Sequence, residues 1–138
     1  MSIGVLLITH DQVGQALLHT ATATLGMCPL PVEVLAVKRG DDPELLLGQA
    51  KELVASLNIG DGVLVLTDMY GSTPSNIARA LQVSTLVEVV AGVNLPMLIR
   101  ILNYPRLSLM ELTAKAVSGG RDGIFDCCLQ EKTSSHDS

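Results

Sequence analysis

Ile3-Gly4-Val5-Leu6-Leu7-Ile8, followed at once by Thr9-His10-Asp11, is the stretch on which the fold turns. The run carries no polar side chain and has strand length. A strand that does not alternate apolar with polar positions is one covered on both faces, as in the middle of a parallel sheet. It lies almost at the first residue, with no basic segment before it and no small-residue cleavage pattern behind it, which predicts a strand rather than a secretory signal. Past His10 the spacing becomes helical: Val13, Ala16, Leu17, Ala21 and Leu25 recur on one face, with Asp11 placed to cap the start and Gly26 to end it.

The same alternation continues outward. Val32 to Val37 is a second strand, and Asp42-Pro43-Glu44 reads as cap, first-turn proline and acidic first turn of a helix carrying Leu46, Leu47, Ala50, Leu53, Val54 and Leu57. Gly62 to Leu66 is a third strand ending in Thr67-Asp68. A loop through Met69-Tyr70-Gly71-Ser72 reaches Thr73-Pro74, cap and first helical residue of the helix with Ile77, Ala78 and Leu81. Thr85 to Ala91 is a fourth strand, followed by a helix capped by Asn94 and broken before Pro105. Ser108 and Glu111 match a capping box for a last helix that Gly119-Gly120 would end, and Ile124 to Leu129 supplies a short fifth strand. Strands alternating with helices predict an α/β, three-layer, doubly wound sheet in one domain over residues 1–129, ahead of a polar, disordered tail at 130–138. In a flavodoxin-like strand order, strands one and three are neighbours, and ligands bind in the crevice at their carboxyl ends.

Composition narrows the function. In 138 residues the net charge is −5, the basic residues are scattered and aromatics make up 2%, so a basic, base-stacking nucleic-acid groove is excluded. Mean hydropathy is +0.42, yet no run approaches the roughly 20 apolar residues of a bilayer span, which argues against direct membrane insertion. Cys28, Cys127 and Cys128 form neither a disulfide framework nor a zinc spacing, which predicts a reducing cytoplasm, with Cys127 and Cys128 as plain buried or half-buried strand residues.

In this topology His10 and Asp68 face one another across the switch point. A carboxylate bound to one imidazole nitrogen fixes the tautomer, presents the other nitrogen as a nucleophile and stabilises the charge gained on attack. Residues 71–73 and the helix beginning at Pro74 offer free backbone N–H groups and a positive dipole end, both suited to a phosphoryl group. The bland alternatives are a loop-closing histidine and an aspartate that caps a helix. His19 and His136 have no evident partner, no metal site is supported, and Arg79 reads as a surface residue. Lys38-Arg39, beside Gly40-Asp41-Asp42, reads as a solvated turn or as part of a rim meeting an acidic partner.

Thr9-His10, Thr67-Asp68-Met69-Tyr70-Gly71-Ser72-Thr73-Pro74-Ser75-Asn76 and Gly92-Val93-Asn94-Leu95-Pro96-Met97-Leu98 together resemble the IIA component of the mannose-type sugar phosphotransferase system, over about residues 3 to 128. The resemblance implies a protein-to-protein phosphotransferase without ATP, metal or other cofactor. His10 would take phosphoryl from phospho-HPr on Nε2 and pass it to a separate IIB component that serves sugar uptake. Asp68 would hold Nδ1, and Gly71, Ser72 and Thr73 would bind the phosphoryl oxygens. It also implies a cytoplasmic homodimer and an antiparallel fifth strand, often exchanged between subunits. Asp11 stands where many members have glycine and adds a negative charge beside the site, lowering the stability of phosphohistidine or changing which partner docks. Ser72 stands where a second glycine is common. A regulatory phosphohistidine protein without sugar transport stays open as an alternative. The phosphoryl-donor subunit of dihydroxyacetone kinase shares the fold but matches Gly-Val-Asn-Leu-Pro-Met-Leu less well. A receiver phosphorylated on Asp68 lacks the acidic pair and lysine it needs, and no Gly-x-Gly-x-x-Gly supports a dinucleotide site.

Overall fold

A computed structural model describes residues 2–82 and 86–128. The elements are β1 (Gly4–His10), α1 (Val13–Leu25), β2 (Val32–Val37), α2 (Pro43–Leu57), β3 (Val63–Thr67), α3 (Thr73–Ala80), β4 (Val87–Ala91), α4 (Leu95–Leu102) and α5 (Leu109–Asp122). The sheet has the order β2-β1-β3-β4, with every pairing parallel. The two central strands, β1 and β3, are buried along their length apart from half-buried His10, which is why their sequences do not alternate. Val5 and Leu7 point into one core with α1, α4 and α5, whereas Leu6 and Ile8 point into a second core with α2 and α3. Each such fully buried aliphatic side chain contributes about 1.5–3 kcal/mol.

Three helix starts match their sequence signatures. Asp42 Oδ1 accepts from Glu44 N at 3.0 Å, ahead of Pro43 at the first position of α2. Ser108 and Glu111 close a reciprocal capping box on α5. Bonds from the Ser108 N–H and hydroxyl hold the Glu111 carboxyl below its ordinary pKa, so this contribution is present at neutral pH and is lost as pH falls through the lowered value. Asn94 Oδ1 accepts from Met97 N at 2.9 Å, while its Nδ2 donates to Gly120 O at 3.2 Å and so ties α4 to α5. Replacing Asn94 with alanine is expected to cost about 1–2 kcal/mol, read from urea unfolding midpoints. Asn94→Asp keeps the cap but loses the donor to Gly120, and a value as low as that of alanine would mean the cap contributes nothing.

Several expectations need correction. Asp11 does not cap α1: it takes the left-handed conformation with φ 44°, and Gln12 occupies the cap position without a side-chain bond. Buried Thr9 does that work, its Oγ1 accepting from Gly14 N at 2.7 Å. Helix α3 starts one residue early, with Ser72 as the cap residue and Thr73 already helical. The expected start of β4 at Thr85 lies outside the described residues, as does the 130–138 tail.

Gly119-Gly120 does not end α5, which runs on to Asp122. Both glycines are buried against α4, and a Cβ on Gly119 would lie 2.6 Å from Arg100 Cβ. Their role is close helix packing, a tertiary requirement that looks like a helix stop when only the chain is read. Gly119→Ala would gain about 1 kcal/mol of helix propensity but incur about 1–3 kcal/mol or more of overpacking, and two Cβ atoms cannot rotate apart. The expected result is a net loss of stability. Exposed Gly48 in α2 has nothing within 4 Å of an added Cβ, so Gly48→Ala is expected to stabilise by about 0.5–1 kcal/mol. Thermal unfolding of the two variants should move in opposite directions, and movement in the same direction would refute the packing account.

The fifth strand is absent from the described residues. Ile124 to Asp126 are irregular, Cys127 and Cys128 are helical, and Leu129 lies outside the described residues. An apolar run of this length is read as strand only if a sheet edge receives it. Here the chain leaves α5 at Gly123, and Asp126 Oδ1 accepts from Cys128 N at 2.9 Å, a local turn that competes with extended pairing. Cys127 and Cys128 are accordingly exposed rather than buried, and Cys28 is exposed as well. No helix among the described residues is long and apolar enough to cross a membrane.

Candidate functional site

The parallel register sets Ile8 against Thr67, so the residues just past this pair, His10 on β1 and Asp68 after β3, emerge side by side at the carboxyl ends of the central strands. Asp68 Oδ2 accepts two bonds from the same residue, from His10 N at 3.0 Å and from His10 Nδ1 at 2.9 Å. The backbone bond fixes where the histidine leaves the strand, and the ring bond fixes the ring. Since an ionised carboxylate can only accept, Nδ1 carries a proton, and in the neutral ring Nε2 then keeps its lone pair. Among the described residues Nε2 has no partner. The His10 side chain is 42% exposed against 14% for Asp68, so the imidazole meets solvent while the carboxylate that holds it is set back.

Among the described residues, buried Asp68 Oδ1 and Thr67 Oγ1 have no hydrogen-bond partner. Buried acceptors left unpaired cost free energy and concentrate where function demands a fixed geometry. Among the described residues, the hydrogen bonds that the Asp68 carboxylate accepts all run through Oδ2, to His10.

Of the anticipated phosphoryl-binding residues, Thr73 shares a cleft of about 350 Å³ with His10, Asp11, Lys38, Arg39 and Pro74. Its backbone N–H and that of Ser75, in the first turn of α3, are not bonded within the described residues, which leaves donors at the positive end of the helix dipole. Gly71 and Ser72 do not line this cleft. Gly71 has φ +85°, which glycine accepts freely, and its N–H donates to Ser75 Oγ at 3.3 Å. The Ser72 hydroxyl donates to Met69 O at 2.6 Å and so braces the loop. Sequence reading missed Thr9, whose hydroxyl seats the start of α1 next to His10. The only hint was a threonine five residues before Gly14, a spacing that no capping rule describes. It also took Arg79 for a plain surface residue, whereas its guanidinium lies 5.5 Å from the ring centre of Tyr70 in the loop between β3 and α3. Among the described residues no group of three His, Cys, Asp or Glu side chains could hold a metal ion.

A family model described as the PTS system fructose IIA component matches residues 4–117. The chain belongs to that family. It is 35% identical over 127 residues to the PTS system mannose-specific EIIAB component of Escherichia coli (strain K12), and equally to that of Shigella flexneri. The match takes in 90% of this chain but only 39% of the length of those relatives. Among solved structures, the mannose/sorbose-specific IIA subunit from Enterococcus faecalis superposes with a TM-score of 0.80 at 23% identity, covering 91% of this chain and 95% of that one. The PTS IIA protein associated with the fucose utilization operon from Streptococcus pneumoniae gives 0.77 at 26%, covering 94% and 96%. A IIA component is what the motifs around His10, Asp68 and Asn94 led one to expect, and the curated relatives are mannose-specific. They support a phosphotransfer role in a sugar phosphotransferase system. In this chain Asp11, with φ 44°, holds a left-handed conformation that an L side chain adopts only at a cost.

Proposed function

We propose that this chain is a cytoplasmic phosphocarrier of a sugar phosphotransferase system, taking phosphoryl from phospho-HPr onto His10 Nε2 and passing it to a IIB component for sugar uptake. The observation that carries the reading is the 2.9 Å bond from His10 Nδ1 to Asp68 Oδ2, which leaves Nε2 as the free ring nitrogen. In the transfer, the Nε2 lone pair forms the new N–P bond. The donor's N–P bond breaks and leaves its electron pair on the donor ring. The positive charge gained by the His10 ring is shared with Asp68 through Nδ1–H. Thr73 meets the phosphoryl oxygens from the first turn of α3, and Gly71 and Ser72 shape the loop that delivers it. Asp68 itself is a poor acceptor, since Oδ1 is buried and Oδ2 already serves two donors. The chain acts as a homodimer in this reading.

The test is incubation with phosphoenolpyruvate and the general carrier proteins, followed by mass analysis of the chain. Acid-labile, base-stable phosphate mapped to the peptide containing His10 is the expected result. Base-labile acyl phosphate, or no phosphate, would sink the proposal.

A further inference from the structure

We infer that Lys38 and Arg39 form a cationic rim that stabilises the phosphoryl group while it is carried on His10, in opposition to Asp11. This rests on the phosphocarrier reading and adds a control on how strongly the group is held. The strand register pairs His10 with Val37, and Asp11 N donates to Val37 O at 2.9 Å. Lys38 therefore begins directly beyond the residue abreast of the nucleophile. Lys38, Arg39 and Asp11 all line the cleft that His10 shares with Thr73, and all three are exposed.

The rim is built on an ordered turn. Lys38 N donates to Asp41 Oδ2 at 2.8 Å, and Asp41 N donates back to Lys38 O at 3.1 Å. Gly40, with φ +90°, supplies the reversal. Asp41, the other carboxylate of the cleft, is thus engaged by the backbone of the turn. Neither the Lys38 ammonium nor the Arg39 guanidinium forms an ion pair among the described residues. In a chain of net charge −5 with only nine Lys and Arg residues, two adjacent unpaired cations at the mouth of the reactive cleft offset its two carboxylates, Asp11 and Asp41. Phosphorylation adds close to two negative charges at that mouth. Nearby cations lower the energy of the phosphorylated state and Asp11 raises it, so the balance sets how readily the group is given up.

The measurement is the equilibrium constant for phosphoryl exchange between phospho-HPr and the chain, obtained from both directions at low and high salt. Docking to the donor cancels from an equilibrium between separated proteins, so this constant reports only the relative stability of the two phosphohistidines. In K38Q/R39Q it is expected to shift about three- to tenfold toward phospho-HPr at low ionic strength, with the shift shrinking as salt is added. Asp11→Asn, a residue type that tolerates the left-handed backbone, is expected to shift it the opposite way by about two- to threefold. An unchanged constant overturns the inference. If the approach to equilibrium then slows, the turn is a docking surface; if it does not, the turn is merely solvated. Absence of phosphate on His10 in the native chain is a different failure, that of the phosphocarrier reading.

Discussion

Phosphoryl uptake from phospho-HPr is expected to fall to zero in His10→Ala while the fold survives. Alanine offers no lone pair at the position of Nε2. His19 lies exposed within α1, with no hydrogen-bond or ion-pair partner among the described residues to orient it. The substitution should be structurally mild because the ring is half exposed and the backbone bond from residue 10 to Asp68 remains. What is lost is one charge-assisted hydrogen bond, worth about 1.5–3 kcal/mol before water takes its place at this open site. Circular dichroism should therefore retain the native spectrum alongside complete loss of label. Label persisting in the variant would show that another residue carries the phosphoryl group.

Asp68→Asn is expected to slow that uptake by about 10²–10⁴-fold, the scale seen when an orienting carboxylate loses its charge beside a reacting histidine. The reason lies in the double use of Oδ2. If the amide oxygen takes that place, the amide NH₂ sits where Oδ1 is now, buried with no recorded acceptor. If the amide turns over, its N–H groups face two donors, and the His10 ring must protonate Nε2 to accept at Nδ1. The first arrangement leaves the ring's new positive charge without a counter-charge, and the second removes the nucleophile. Rapid-quench measurement of the first-order transfer step at saturating phospho-HPr separates this from weakened docking. A rate within a few-fold of native would mean that Asp68 is only a structural partner of the loop.

The site was legible in the chain for a topological reason. Once β1 and β3 are read as strands buried on both faces and a flavodoxin-like order makes them neighbours, their carboxyl ends lie together, with His10 and Asp68 at those ends. Caps that rest on neighbours along the chain, at Asp42, Asn94 and Ser108, were equally legible, because a side chain bonding a nearby N–H needs no tertiary partner. The cap of α1 was not, because Thr9 belongs to the strand and reaches forward across Asp11 in its left-handed turn.

Glycine and short apolar runs misled for a related reason. Gly26 ends α1 with φ 78° and nothing near its absent Cβ, so its meaning is local. Gly119 and Gly120 carry the same letter, but their meaning comes from Arg100 and Met97 on another helix. Ile124 to Leu129 has strand composition, but composition does not create a sheet edge. Periodicity, caps and the alternation of strand with helix specified the fold class and the starts of α2, α4 and α5, since these depend on spacing along the chain, and the meeting of His10 with Asp68 followed from them only with a flavodoxin-like strand order assumed. Which hydroxyl caps α1, which glycines admit a neighbouring helix, whether the last apolar run pairs, and which charges share the cleft with His10 depended on distances between residues far apart in sequence, and only packing in three dimensions decides those.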